Sequence, residues 1–336
     1  MWGNWKASCT FHFRGKRILP ARFIGRNLCA WRWAKAANMY SSFYGLNQEP
    51  FRLTPDPRFL HLAEPHRNTL RAMLEGVTHR KGLQVSVGPI GTGKTTLLYC
   101  LQHILSHEAA AHPPIRSAFI VNPTLNPAEL HEALLDELEI TAPSPSKPAR
   151  LRAIHELLME SQRNNGVVLV IIDEAHLLSP ALIEEVRLLL NLDNYPIPVL
   201  QVILCGQPEL VPLLMKPQFA ALRGRVAVVS KLRALTLQEM RAYVAERMHV
   251  AGLVTENPFT AAALEEIFRR TRGTPRLINL LCDRALTAGF RRQMKKITPD
   301  LVIEAVDDLT LSDDLLAAAA DPFANAPQEA SVASKP

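Results

Sequence analysis

A chain of 336 residues, 48% hydrophobic and 21% charged, is long enough for one large domain or two ordinary ones with a real core. Its five cysteines (Cys9, Cys29, Cys100, Cys205, Cys282) have no Cys-x-x-Cys spacing, which argues against a disulfide framework or zinc site and fits a reducing cytosol. The net charge of +6 is confined to residues 1–38; the remainder holds 30 basic against 32 acidic residues, a net charge of −2, so composition gives no evidence that the body binds DNA.

The leader 1–38 carries Lys6, Arg14, Lys16, Arg17, Arg22, Arg26, Arg32 and Lys35, no acid, and all four tryptophans. Arg22 interrupts its short apolar run, so it is no secretory signal. It fits a translation start upstream of the true one at Met39, a transit peptide, or a basic arm that touches lipid or nucleic acid. Residues 40–59, rich in aromatics and prolines, exclude a helix or central strand and suggest an extended arm around the next domain. Residues 61–77 then read as a helix with Leu62, Leu70, Met73 and Leu74 as its apolar positions.

Leu83–Val87 reads as a short buried strand, and 95–106 as a helix with Leu97, Leu98, Leu101 and Leu105 at helical spacing. Between them Gly88, Pro89, Ile90, Gly91, Thr92, Gly93, Lys94 and Thr95 fit Gly-x-x-x-x-Gly-Lys-[Ser/Thr], with Thr96 next in line. Glycines let backbone N–H groups turn inward as an anion nest. The Lys94 ammonium can reach β- and γ-phosphates, the Thr95 hydroxyl can ligate Mg²⁺, and the following helix adds its N-terminal positive charge. The pattern predicts a nucleoside triphosphate site.

Strand signals follow at 117–121, 167–172, 199–205 and 226–229, separated by helical stretches at 127–138, 149–162 and 180–190. Continuous apolar strands alternating with helices imply a parallel sheet covered on both faces. Residues 141–148 form a Pro/Ser loop too short to divide this domain. The strand 168–172 ends in Asp173 and Glu174, adjacent carboxylates that packing does not require. At the C-terminal edge of the sheet, Asp173 can hold Mg²⁺ through its water shell and Glu174 can polarise the attacking water. Asp-Glu-Ala-His at 173–176 also spells a helicase box, but the other helicase motifs are absent, and His176 reads as a helix-entry residue. Gln207, just after a strand, is either a γ-phosphate contact or part of a Gly-Gln-Pro turn. Arg223 and Arg225 precede the last strand, where either can be a finger into a neighbouring subunit's site or a plain ion-pair residue.

From 235 the chain is helical: a capping box at Thr236 and Glu239, a helix over 260–272, and helices opened by Thr274-Pro275 and Thr298-Pro299. Arg276, at about the second position of its helix, opposes the macrodipole by about 0.3–1 kcal/mol, and such a broken local rule often marks function. From this helical part it can close onto a γ-phosphate. The segment after 312 has no periodicity and a disordered composition. The expected organisation is a leader 1–38, a nucleotide-binding domain 39–232 with its arm, a helical lid 233–308 and a tail 309–336.

Together these residues resemble an AAA+ ATPase, a P-loop fold. Gly-Thr-Pro-Arg at 273–276 is similar to that superfamily's sensor 2, with Gln207 in the sensor 1 slot and Arg225 in the arginine-finger slot. Phe43-Tyr44-Gly45-Leu46, Pro50-Phe51, Leu53 to Phe59, Gly206 to Leu210 and Arg276 to Asn279 are similar to the ExeA/GspA family, general secretion pathway protein A and its pilus-biogenesis relatives. The likeness runs from about residue 39 to 306. It implies a five-stranded parallel core with a helical lid, ATP with Mg²⁺, and a ring-like homo-oligomer with an inter-subunit arginine finger. Membrane-anchored members act with a partner protein in assembling the type II secretion pore through the cell wall. This chain shows no membrane-spanning segment and no peptidoglycan-binding sequence after the lid, so a cytoplasmic relative, at most peripheral at the inner membrane, is expected. The alternative is a DNA-associated AAA+ transposition regulator that recruits a transposase. A nucleotide-gated scaffold with negligible turnover is disfavoured by Asp173 and Glu174. No Asn-Lys-x-Asp guanine-reading sequence occurs, which favours ATP.

Overall fold

The structure, a computed structural model, describes residues 39–52, 62–107, 114–121, 123–193 and 195–307. The basic leader, the arm from 53 to 61 and the segment after 307 lie outside the described residues. The described residues form two compact units, one of 62–234 and one of 39–52 with 235–307.

The chain begins in the helical unit with α1 (Met39–Phe43). The sheet unit then runs α2 (Glu64–Thr78), β1 (Leu83–Val87), α3 (Lys94–His107), β2 (Ile115–Ile120), α4 (Pro127–Glu137), α5 (Lys147–Arg163), β3 (Val167–Ile172), α6 (Pro180–Leu192), β4 (Leu200–Gly206), α7 (Leu210–Met215), α8 (Ala220–Arg223) and β5 (Val226–Lys231). The helical unit resumes with α9 (Leu237–Val250), α10 (Ala261–Thr271), α11 (Pro275–Arg291) and α12 (Pro299–Asp307).

The five strands pair in the order β2-β3-β4-β1-β5, every pair parallel. The central strands β1, β3 and β4 are buried along their whole length because both faces are covered, and in β3 and β4 the period of two divides the apolar residues between two cores. Val168, Val170 and Ile172 of β3 join Leu130 and Leu134 of α4, Leu157 of α5 and Leu182 of α6. Val167, Leu169 and Ile171 join Leu70 and Met73 of α2 and Leu97 and Leu101 of α3. Parallel register brings Val87, Ile172 and Gly206 to one edge of the sheet: Val87 pairs with Gly206, and Ile172 with Leu204 beside it. The residues that follow these three strand ends therefore share one crevice, where α/β sheets place ligands.

In the helical unit the grouping differs from the sequence expectation. Residues 39–52 belong with the helices and not with the sheet, and 39–43 are helical despite their aromatic composition. The reason lies in what these aromatics touch. Tyr40 donates its hydroxyl to Asp283 at 2.6 Å, Tyr44 donates to the Met294 carbonyl at 2.9 Å, and the Phe43 ring meets Phe290 edge-on at 5.5 Å. Buried Arg247 donates to the Pro50 carbonyl at 2.6 Å, and the Phe51 ring meets Phe259 at 6.1 Å. No helix among the described residues is long and apolar enough to cross a membrane.

Candidate active site

The loop after β1 turns on two left-handed glycines, Gly91 at φ 76° and Gly93 at φ 95°, a conformation that costs other residues strain. Three hydrogen bonds hold it. The Thr92 hydroxyl donates to the Pro89 carbonyl at 2.8 Å, the Lys94 ammonium donates to the same carbonyl at 3.1 Å, and the Gly88 N–H donates to the Gly206 carbonyl at 3.1 Å. Lys94 is buried, so its charge is held inside the loop until a stronger acceptor arrives. A fourth contact comes from α2, where His66 Nε2 lies 3.0 Å from the Thr92 carbonyl and within 3.5 Å of where a Cβ on Gly93 would sit. Helix α3 starts at Lys94, so its N-terminal N–H groups and dipole face the loop.

Across the crevice the Thr95 hydroxyl donates to Asp173 Oδ2 at 2.5 Å, and Asp173 Oδ1 accepts the Glu174 N–H at 2.9 Å. Asp173 is buried. Glu174 adopts a left-handed backbone (φ 48°, ψ 36°), a conformation costing a non-glycine residue on the order of 1–3 kcal/mol, as do five other non-glycine residues among those described. A carboxylate and a hydroxyl converging 2.5 Å apart beside a phosphate loop form the hard-oxygen donor set that Mg²⁺ takes when it keeps waters and substrate phosphates as its other ligands. The residues present therefore fit a magnesium triphosphate. The neighbouring Cys205 thiol is pushed up to about 12 by burial, with the Asp173 charge adding, so it stays a neutral thiol beside the site.

Sequence reading places Lys94, Thr95, Asp173, Glu174 and Gln207 in one crevice, and the structure brings all five to this edge. It does not bring Arg223 or Arg225 there. They precede β5, whose first residue Val226 pairs with Leu83 at the opposite end of β1, roughly 16 Å from the loop at 3.3 Å per strand residue. Arg225 donates to the Leu190 carbonyl at 2.8 Å and to the Asn191 side chain, and Arg223 donates to the Leu214 and Met215 carbonyls at 3.2 and 3.3 Å. Both cap helix C-termini, where a cation is favoured. Neither serves its own chain's phosphate loop. Arg276 is exposed at the second residue of α11 in the helical unit. Sequence reasoning missed His66 and undervalued His176, which lies in a single 3₁₀ turn (Ala175–Leu177) with its ring against Gln207.

A protein-family model described as an AAA domain matches residues 61–214. The fold is found in solved AAA+ structures. Drosophila ORC bound to DNA matches with a TM-score of 0.60 at 17% identity, over 92% of this chain and 73% of that one. The Aeropyrum pernix ORC2 protein in its ADPNP-ADP complexes matches at 0.55 and 19% identity, over 72% and 66%. With the phosphate loop and its acid pair, the family match gives the class: the chain carries an AAA domain, and the solved structures agree with it in fold. Within that class it is a relative of general secretion pathway protein A. The Aeromonas hydrophila protein of that name is 37% identical over 263 residues, which is 77% of this chain and 46% of that one. The chain thus spans about half the length of the relative it matches.

Proposed function

We propose that the chain hydrolyses ATP with Mg²⁺ and uses the cycle to drive assembly or remodelling in a bacterial secretion or pilus system, working in the cytoplasm or at the inner membrane's inner face. The 2.5 Å approach of the Thr95 hydroxyl to Asp173 carries the first part, because a hydroxyl and a carboxylate that meet beside a phosphate loop are the hard-oxygen pair a magnesium triphosphate takes. Residues 88–96 cradle the phosphates, with Lys94 leaving the Pro89 carbonyl for the β- and γ-phosphate oxygens. The bound cation supplies charge neutralisation for the transferred phosphoryl group. Thr95 and Asp173 would hold that cation. Glu174 takes the proton of the attacking water, and Gln207 contacts the γ-phosphate. The triphosphate is read as ATP by class. Arg225, on the far edge of the sheet, acts only in a neighbouring copy's site, which requires a homo-oligomer and release from Leu190 and Asn191. The secretion role is supported by the likeness to general secretion pathway protein A.

The test is Glu174→Gln, which keeps the volume and removes the base. ATP binding should persist and turnover should fall by about 10²–10⁴, with wild-type turnover abolished by chelating Mg²⁺. Hydrolysis at the wild-type rate in Glu174→Gln would overturn the assignment. The same variant, expressed beside the wild type in its own cells, should block secretion or piliation if the cycle drives assembly. Unimpaired secretion and pili would count against that role.

A further inference from the structure

His176 is a largely covered imidazole at this edge that the proposed chemistry leaves unused. Its side chain is only 11% exposed, so it is not a solvated surface histidine. Its Nδ1 lies 3.4 Å from Glu174 Oε2, and its Nε2 lies 3.1 Å from the side-chain nitrogen of Gln207. The backbone N–H of Gln207 approaches Nδ1 at 3.4 Å. Glu174 Oε2 is itself buried and makes no hydrogen bond among the described residues. The contact is built into the chain path: a Cβ on Gly206 would lie 3.0 Å from the His176 backbone nitrogen and would push the two segments apart by a few tenths of an ångström.

The donor and acceptor rules of imidazole make these contacts mutually dependent. While the Gln207 amide offers its nitrogen, His176 Nε2 must accept and the ring proton sits on Nδ1, 3.4 Å from Glu174 Oε2 but not yet bonded to it. The Gln207 backbone N–H, which otherwise points at Nδ1, must draw away for that proton to be shared. If the amide turns to offer its oxygen, the proton moves to Nε2, Nδ1 accepts the Gln207 backbone N–H, and Glu174 loses its donor. The orientation of one amide thus decides whether the carboxylate is held. Hydrogen bonds of catalytic groups are often long before substrate arrives and tighten on binding, which the 3.4 Å approach permits.

We infer that His176 is a positioning residue for hydrolysis, which ties the orientation of Glu174 to the side chain of Gln207. The inference rests on the reading of Glu174 as the group that activates water. It adds a link by which contact at Gln207 sets the aim of that carboxylate.

Turnover, ATP affinity and melting temperature of the full chain are compared for Glu174→Gln, Gln207→Ala and three substitutions at 176. His176→Ala should lower kcat at least about tenfold, a part of the 10²–10⁴ that a positioned base supplies, with ATP affinity and melting temperature unchanged. His176→Asn, whose amide nitrogen stands where Nδ1 stood, should recover most of that loss. His176→Gln, whose amide stands where Nε2 stood, should not. The double variant His176→Ala/Gln207→Ala should be no slower than the slower single one, because both act through one contact. Wild-type kcat in His176→Ala, equal loss in the Asn and Gln variants, or losses that multiply in the double variant would each overturn the inference. Should the alanine variant fail to fold, the Asn and Gln pair decides. Undiminished turnover in Glu174→Gln would instead remove the reading beneath it, so the two failures are distinguishable.

Discussion

His66 belongs to a helix that contributes no residue to the phosphate-binding sequence, yet its ring props that loop from below. The Thr92 carbonyl can only accept, so the 3.0 Å contact requires the proton on Nε2. A buried hydrogen bond of this kind is worth about 0.5–1.5 kcal/mol, and losing it leaves the loop free to sample shapes that do not fit a phosphate. His66→Ala should therefore weaken ATP binding by roughly three- to tenfold while leaving kcat at saturation nearly intact. His66→Gln, which keeps a donor at the same reach, should bind close to normally. Titration with a fluorescent ATP analogue checks both, and unchanged affinity in the alanine variant would show that the loop holds its own shape. The contrast with Lys94, Thr95, Asp173 and Glu174 explains what a sequence shows at this scale. Those four sit in two contiguous runs, each tied by chemistry to the end of its own strand, so spacing alone reveals them. His66 meets Thr92 across 26 positions and His176 meets Gln207 across 31. No spacing rule couples such pairs, because the first meeting is made by a helix packed on the loop and the second by two strands ending at one edge.

At the scale of elements, the signals that held were those with a local physical cause. Thr236 and Glu239 form the reciprocal capping box expected of them and open α9. Apolar-rich five- to seven-residue runs became central strands, buried along their whole length because both faces of the sheet are covered. Short elements escaped: α1, α7 and α8 have four to six residues, below the length at which periodicity can be read or a helix stands alone. They exist because tertiary contacts fix them, as Tyr40 and Tyr44 fix α1. In α10 the last turn gives a pH-dependent case. Glu266 is drawn down to about 2 from its ordinary 4.5 by hydrogen bonding to Arg269, against an opposing effect of burial, with Arg270 adding to the lowering. A carboxylate whose folded-state value is depressed stabilises the fold above its unfolded value and loses that contribution as pH falls toward the folded one. The window here is therefore about 4.5 down to about 2. Glu266→Gln should lower the stability of the helical unit at neutral pH and shrink the stability difference between pH 7 and pH 2. Denaturant melts at the two pH values measure this. A variant that loses as much stability on acidification as the wild type would mean that the Glu266 pair contributes nothing to folding.

On the scale of the whole molecule, every residue of the phosphate crevice comes from the unit of 62–234, while Arg276 comes from the other. Whether the helical unit takes part in hydrolysis is therefore a kinetic question that Arg276 can answer. It stands at the second residue of α11 with no acid in the first turn, exposed, where the N-terminal dipole disfavours a cation by about 0.3–1 kcal/mol. Removing it should relieve that penalty and substitute the best helix former, so Arg276→Ala should melt at the same temperature as the wild type or slightly above it. If its charge serves the bound triphosphate, the same variant should lose about 10- to 100-fold in kcat, the scale of one lost stabilising charge or donor at a transition state. Lysine at this position keeps the charge but not the planar fork, and should recover only part of the activity. A purely structural arginine predicts the reverse pattern: a less stable protein with undiminished turnover per folded molecule. Stability and rate moving in opposite directions would mean that Arg276 gives up folding energy for catalysis.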